Sequence, residues 1–215
     1  MTKSLQEIAE EKAYDILFEL EDEFNLRTGS LPEIHYITKK FSFEKMGLDY
    51  GYYDSFYRTK ITKDPVYIPS ENIILLGSFK KSHIAEEILH SIHYGNLNYD
   101  KNVLDEFAAE TISEMLGYFC SKLIDEKRKT AFWGDSLLHK KSVPQILNGI
   151  KFIMKKGELD NLVYQQGYSL GDKLYYAYLE GKVSKDKIKK TIENPLPERY
   201  EAFSEFMHWK YEVLA

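Results

Sequence analysis

The stretch HIAEEILHSIHYG, residues 83–95, decides how this chain is interpreted. Its apolar residues recur every three or four positions, which predicts a helix over 79–94 with one apolar stripe. That stripe consists of Ile84, Ala85, Ile88, Leu89 and Ile92. The opposite side carries His83, Glu86, Glu87, His90 and His93. Three imidazoles and two carboxylates thus share one face, which is either the solvated side of an amphipathic helix or a site that uses them.

Composition narrows the classes of protein to which this helix could belong. With 215 residues, of which 43% are hydrophobic and 14% aromatic, the chain can bury one core. A net charge of −5, with acids and bases mixed throughout, indicates no nucleic-acid partner. The basic run KDKIKK at 185–190 is interpreted as a solvated helix face.

Targeting signals and cysteine usage point to one compartment. The single cysteine, Cys120, excludes an internal disulfide framework and is typical of a reducing environment. No apolar run reaches about 18 residues, and the N-terminus is too acidic for a signal peptide. We therefore expect a soluble, cytoplasmic protein that does not bind a membrane.

The rest of the chain predicts an α+β fold. Helical spacing over 4–26 indicates a first helix, and the aromatic and β-branched runs of 34–77 indicate a small, mainly antiparallel sheet. From Ser78 onward the pattern is helical almost to the end. A second helix is expected at LDEFAAETISEMLGYF, residues 104–119, with Glu106 near its start and an apolar face that could pack against the 79–94 helix.

These elements resemble the gluzincin-type metallopeptidases, including the compact minimal gluzincins. Proteins of that family combine a helix, a small sheet whose last strand forms the upper rim of the cleft, a His-Glu-x-x-His helix and a helix carrying a glutamate ligand. The matching stretches are PVYIPSENIILLGS at 65–78, AEEILHSIHYG at 85–95 and DEFAAE at 105–110. The resemblance covers roughly residues 5–120. It implies a zincin-like core over 1–125, followed by a helical C-terminal subdomain over 126–215.

The resemblance also assigns roles to individual residues. It implies Glu86, His90 and Glu106 as ligands of one divalent ion, zinc in the first place, and Glu87 as the general base for hydrolysis of a peptide or protein. This sequence departs from the family at Glu86, where a histidine is usual. A second carboxylate lowers the Lewis acidity of the ion and shifts preference toward iron or manganese. Weakened hydrolysis, or a metal-free pseudopeptidase that acts as a binding or regulatory module, are the two expected consequences.

Further polar residues are weaker candidates for the same site. His93 lies one turn beyond His90 and could coordinate together with it. His139, Tyr164 and His208 belong to the helical second half and are candidates for stabilising an oxyanion. In that half, Leu170, Leu174, Tyr178 and Leu179 predict a helix that stops at Gly181, with Ser184 capping a short helix after it.

A di-metal helical bundle is the competing arrangement. EILH at 87–90 and EFMH at 205–208 both follow the Glu-x-x-His pattern of carboxylate-bridged di-iron bundles. Glu106 or Glu110, with one of Glu19 to Glu23, could supply the single glutamates. The predicted sheet is foreign to such bundles and favours the zincin-like alternative.

Overall fold

A computed structural model of the chain describes residues 2–27, 31–37, 65–69, 71–96, 103–125 and 159–193, with the backbone alone at 95–96, 103–108 and 159–162. These residues form five helices and a three-stranded sheet, so the expected α+β class is confirmed. The elements in chain order are α1 (Leu5–Phe24), β1 (Glu33–Tyr36), β2 (Val66–Ile68), β3 (Ile73–Leu76), α2 (Lys81–Asn96), α3 (Val103–Ile124), α4 (Leu159–Leu179) and α5 (Lys185–Glu193).

Helix α1 begins and ends with specific capping residues. The Glu7 amide donates to the Ser4 hydroxyl (3.2 Å) and the Ser4 amide donates to the Glu7 carboxylate (2.7 Å), which is a capping box. At the other end Asn25 adopts a left-handed backbone with φ of 50° and stops the helix. The predicted first helix over 4–26 is therefore confirmed.

The sheet is mixed rather than mainly antiparallel. Its order is β1-β3-β2, with β1 parallel and β2 antiparallel to the central β3. All four residues of β3, IILL, are buried, as expected for a strand covered on both sides. The sheet expected in 34–77 thus exists in its described parts, while 38–64 lies outside the described residues.

Side chains from the flanking helices form hydrogen bonds with backbone groups at both edges of this sheet. Gln6 of α1 donates to the Ile34 carbonyl (2.6 Å) and accepts from the Tyr36 amide (2.8 Å), so it pairs with β1 much as a strand would. On the other edge, the Tyr67 amide of β2 donates to the Glu87 carboxylate of α2 (2.6 Å). Backbone groups that would otherwise be unpaired are bonded in this way.

Helices α3 and α4 cross at very close range. A Cβ added at Gly167 would lie 2.2 Å from Cβ of Glu114, and one at Gly171 would lie 2.6 Å from the Met115 carbonyl oxygen. Two glycines four residues apart therefore let the backbones meet, as at other small-residue helix contacts. Farther along the same crossing, Lys122 pairs with Asp172 and lies over the rings of two tyrosines.

The helical pattern of the second half is confirmed where it is described. Helix α4 ends before Gly181, whose φ is +71°, and the Lys187 amide donates to the Ser184 hydroxyl (3.2 Å) at the start of α5. Residues of α4 and α5 join the same hydrophobic core as α1 and the sheet. A boundary between 125 and 126 stays a prediction. Within the described ranges, no helix is both long and apolar enough to cross a membrane.

Candidate metal centre

Three of the five residues on the polar face of α2 are buried, not solvated. Glu86 is 6% exposed, His90 7% and His93 0%. The alternative of a wet helix face is therefore wrong for these three residues. Helix α3 packs along this side of α2 and covers Glu86 and His90.

Contacts between side chains define how α3 lies against α2. Gly117 faces Glu86 and His90, Ser113 and Glu114 face His90, and Glu110 accepts a hydrogen bond from the Tyr94 hydroxyl. Residue numbers therefore decrease along α3 in the direction in which they increase along α2, so the two helices run antiparallel. This register decides which α3 residue meets His90.

Three buried side chains converge at that level. Glu86, His90 and Glu114 each offer one ligand atom, and these atoms lie within 4.8 Å of one another. The Nε2 atom of His90 is 3.7 Å from Oε1 of Glu114. Glu86 and His90 are one helical turn apart on α2, so both can reach a single ion. The set combines two carboxylates and one imidazole, a donor group that suits a divalent cation and leaves coordination positions for water or substrate.

Two glycines make room for these side chains. A Cβ at Gly117 would lie 2.9 Å from Cε1 of His90, 3.1 Å from its Nε2 and 3.2 Å from Cγ of Glu86. Gly167 of α4 lies directly behind Glu114, since a Cβ at position 167 would lie 2.2 Å from Cβ of Glu114. Any larger residue at either position would have to displace a member of the cluster.

The imidazole of His90 is also bonded on its other side. Its Nδ1 atom lies 2.8 Å from the Ser113 hydroxyl oxygen, and Ser113 is fully buried. Ser113 and Glu114 are consecutive, so their side chains leave α3 about 100° apart and flank the ring of His90.

His93 is a buried histidine outside the three-residue group. Neither ring nitrogen has a hydrogen-bond partner among the described residues. Burial, with a smaller contribution from nearby His90, lowers the pKa of His93 to about 3. Its imidazole is therefore neutral at ordinary pH. The structure does not place it with Glu86, His90 and Glu114 as a ligand.

The remaining predicted site residues fall in different places. Glu87 turns toward the sheet, where its carboxylate bonds the Tyr67 amide. Glu106 belongs to α3, eight residues and about 12 Å along the axis before Glu114, and its side chain lies outside the described residues, so its role stays a prediction. Tyr164 is 43% exposed on α4 and contacts the ring of Tyr168. His139 and His208 lie outside the described residues.

Glu114 is the residue that the sequence interpretation missed. It interrupts an otherwise apolar and small run in α3 and precedes Gly117 by one turn. An acidic residue within a run of apolar and small residues is the sequence signal that could have identified it.

Comparison with known proteins adds no assignment. None of the protein-family models, curated proteins or solved structures compared with this chain matches it.

Proposed function

We propose that this protein is a zincin-like metal-dependent hydrolase that holds one divalent ion through Glu86, His90 and Glu114 and acts on peptide bonds. The observation that carries the proposal is the convergence of these three buried side chains within 4.8 Å. Two carboxylates this close repel each other when ionised, and a divalent cation between them offsets that repulsion.

Each residue has a defined task in this proposal. Glu86, His90 and Glu114 hold the ion, which supplies Lewis acidity toward a water molecule. Glu87 directly follows Glu86 on α2 and is the carboxylate that takes the proton from the attacking water. Its hydrogen bond to the Tyr67 amide holds it beside the edge of the sheet.

An extended peptide is the substrate class that this edge favours. Strand β2 is the outer antiparallel strand of the described sheet, and it lies against α2. Edge strands bind extended peptides through main-chain hydrogen bonds. A peptide that paired with β2 would displace Glu87 from the Tyr67 amide and thereby release the carboxylate that serves as the base in this proposal.

The donor set favours a harder ion than a two-histidine site does. Carboxylate oxygens supply two of the three protein ligands, which shifts preference toward manganese or iron(II) relative to zinc. Zinc, manganese and iron(II) are therefore the ions to test.

Metal content tests the proposal directly. Protein purified without chelator or metal-affinity tag is expected to carry, or to take up, about one equivalent of a divalent ion by elemental analysis and calorimetry. His90→Ala should abolish this binding. Protein that binds none of the three ions at millimolar concentration would remove the proposal, and a stoichiometry of two would favour the di-metal alternative.

A non-catalytic metal-binding module is the second candidate. The hydrogen bond between Glu87 and the Tyr67 amide favours it, because it gives Glu87 a structural task at the sheet edge. Glu87→Gln separates the candidates, since the amide oxygen can still accept from Tyr67 but cannot take a proton. Loss of hydrolysis of an unstructured peptide, with metal binding unchanged, supports the hydrolase. Metal-loaded wild-type protein that hydrolyses no such peptide supports the binding module.

A further inference from the structure

Backbone groups of the central strand β3 alternate between its two neighbouring strands. The Glu33 amide donates to the Asn72 carbonyl, and the Ile37 amide donates to the Leu76 carbonyl, both at 2.9 Å. Asn72 and Leu76 therefore face β1, and the odd-numbered residues between them face β2. This alternation determines which backbone groups of β2 point away from the sheet.

Tyr67 is the residue of β2 whose backbone points away from β3. Its neighbours Val66 and Ile68 lie opposite the two residues of β3 that face β2, so their amides point toward β3. The hydrogen bond from the Tyr67 amide to the Glu87 carboxylate, at 2.6 Å, agrees with this direction. The outer edge of β2 therefore presents the amide and the carbonyl of Tyr67.

Two prolines flank Tyr67 in the sequence. Pro65 and Pro69 lie two residues before and two residues after it, at the positions where a strand next directs its amides outward. Proline has no amide proton, so neither position can donate a hydrogen bond. Within residues 65–69, the Tyr67 amide is thus the single backbone donor on the outer edge, and it is the donor to which Glu87 bonds.

The side chain of Tyr67 shows where α2 lies relative to this edge. The Tyr67 ring packs toward Tyr94 of α2, with 6.1 Å between the ring centroids. Side chains of a strand stand roughly perpendicular to the sheet, whereas its hydrogen-bonding groups lie in the plane of the sheet. Helix α2 therefore covers a face of the sheet, and Glu87 reaches from that face to the edge.

We infer, on the basis of the proposed function, that Pro65 and Pro69 are specificity-determining residues that restrict a bound peptide to one complete pair of main-chain hydrogen bonds, with Tyr67. An antiparallel peptide places one residue opposite Tyr67, and these two residues exchange both of their main-chain bonds. The peptide residues two positions away meet Pro65 and Pro69, which offer no donor. The peptide is therefore anchored at one residue, which competes with Glu87 for the same amide. A proline cannot be that anchor, because it has no amide proton.

Pro65→Ala and Pro69→Ala each add one amide to the outer edge, and Pro32→Ala is their matched control. Pro32 directly precedes β1 at the opposite edge of the sheet, so its replacement adds no donor to β2. The probe is a fluorescein-labelled heptapeptide of alternating threonine and glutamine, and its fully N-methylated copy is the negative probe. Circular dichroism and thermal unfolding establish that each variant is folded.

The first measurement is the affinity for the peptide by fluorescence anisotropy, in full-length protein without added metal so that the peptide stays intact. Pro65→Ala and Pro69→Ala are expected to bind about 3- to 10-fold more tightly than wild type, as one added hydrogen bond allows, with Pro32→Ala within about twofold. The N-methylated copy should not bind. Affinities equal to wild type in both β2 variants overturn the inference. Self-association of these variants without a gain in peptide affinity also overturns it, since the prolines then only protect the edge from pairing.

The second measurement keeps both prolines and follows the Tyr67 amide by ¹⁵N NMR as the peptide is added. The peptide is expected to shift this signal, and Glu87→Ala should bind the peptide about 3- to 10-fold more tightly because the competing carboxylate is gone. Glu71→Ala removes an exposed glutamate from the turn after β2 and should bind like wild type. A Tyr67 signal that the peptide leaves unchanged overturns the inference, whether or not an ion binds. Wild-type protein that binds no ion instead contradicts the proposed function, and the peptide measurements then judge the edge by themselves.

Discussion

Gly117 of α3 faces His90 of α2 so closely that a Cβ at position 117 would come within 2.9 Å of the imidazole ring. Gly117→Ala should therefore displace His90 and lower the affinity for a divalent ion about 10- to 100-fold, as loss of ligand geometry does elsewhere. Calorimetry with manganese or zinc measures the effect. Gly181→Ala is the control, because a Cβ at position 181 would meet nothing within 4 Å. Its cost in stability would come from backbone strain at a φ of +71°, not from a contact with the site. Unchanged affinity in Gly117→Ala would mean that His90 is not a ligand in this position.

The third ligand can be identified by comparing two glutamates of the same helix. Glu114→Gln removes a charge from the buried cluster and should lower metal affinity by at least about tenfold. Glu106→Gln, two turns away along α3, should leave the affinity within about twofold of wild type. The reverse pattern, with Glu106 essential and Glu114 dispensable, would restore the ligand set expected from the family resemblance.

Glu86→His should convert the site into one that suits zinc better. The variant would place two imidazoles one turn apart on α2, with Glu114 as the anionic ligand, a set typical of zinc sites. We expect zinc affinity to rise and the ratio of zinc to manganese affinity to rise with it, as measured by competition with a chromophoric chelator. A variant that binds zinc no better than wild type would show that position 86 does not reach the ion.

His93 should make the protein less stable at acidic pH. The pKa of His93 is about 3 in the folded chain against 6.5 for an ordinary histidine, because burial disfavours the charged ring. Between these values the unfolded chain binds a proton that the folded chain does not, so lowering the pH from about 6.5 toward about 3 lowers the free energy of unfolding. The contribution at pH 5 is about 2 kcal/mol.

The measurement is urea unfolding of metal-free protein at pH 7.5 and pH 5. His93→Leu removes the titrating group, so the difference between its two unfolding free energies should be smaller than in wild type by about 2 kcal/mol. The same difference in both proteins would contradict a buried, neutral His93.

Gln6 of α1 should stabilise the sheet through its hydrogen bonds to the backbone of strand β1. Gln6→Ala removes its bonds to the Ile34 carbonyl and the Tyr36 amide, which we expect to lower the free energy of unfolding by about 1 to 2 kcal/mol. Gln6 also donates to Glu10 at 2.7 Å, so Glu10→Ala is the control for that contact. If Glu10→Ala costs as much as Gln6→Ala, the bonds to β1 contribute little.

Local periodicity was sufficient to predict the elements but not the pairing of the strands. The helices around Leu5–Phe24, Lys81–Asn96 and Leu159–Leu179 follow from spacing and capping residues. The parallel pairing of β1 with β3 does not follow from them, because Glu33 and Ile73 are 40 residues apart and the local sequence does not determine the relative direction of two distant strands.

The candidate site shows the same division between local and distant information. Glu86 and His90 are one turn apart on α2, so their proximity follows from the helix itself. Glu114 comes from another helix, and its level relative to His90 depends on how α3 and α2 pack around Gly117. A shift of α3 by two turns would present a different glutamate, which is why spacing alone could not select between Glu106 and Glu114.

The parallel pairing of β1 with β3 has a consequence for how quickly the chain can fold. Strands Glu33–Tyr36 and Ile73–Leu76 can meet only after a loop closes across 40 residues, which carries an entropic cost before any strand contact repays it. The hairpin of β2 and β3 closes over a much shorter distance, with Ile68 opposite Ile73. We therefore expect β1 to join the sheet late in the folding reaction, after that hairpin has formed. The N-terminal end of α1, which is hydrogen-bonded to β1 through Gln6, should join with it.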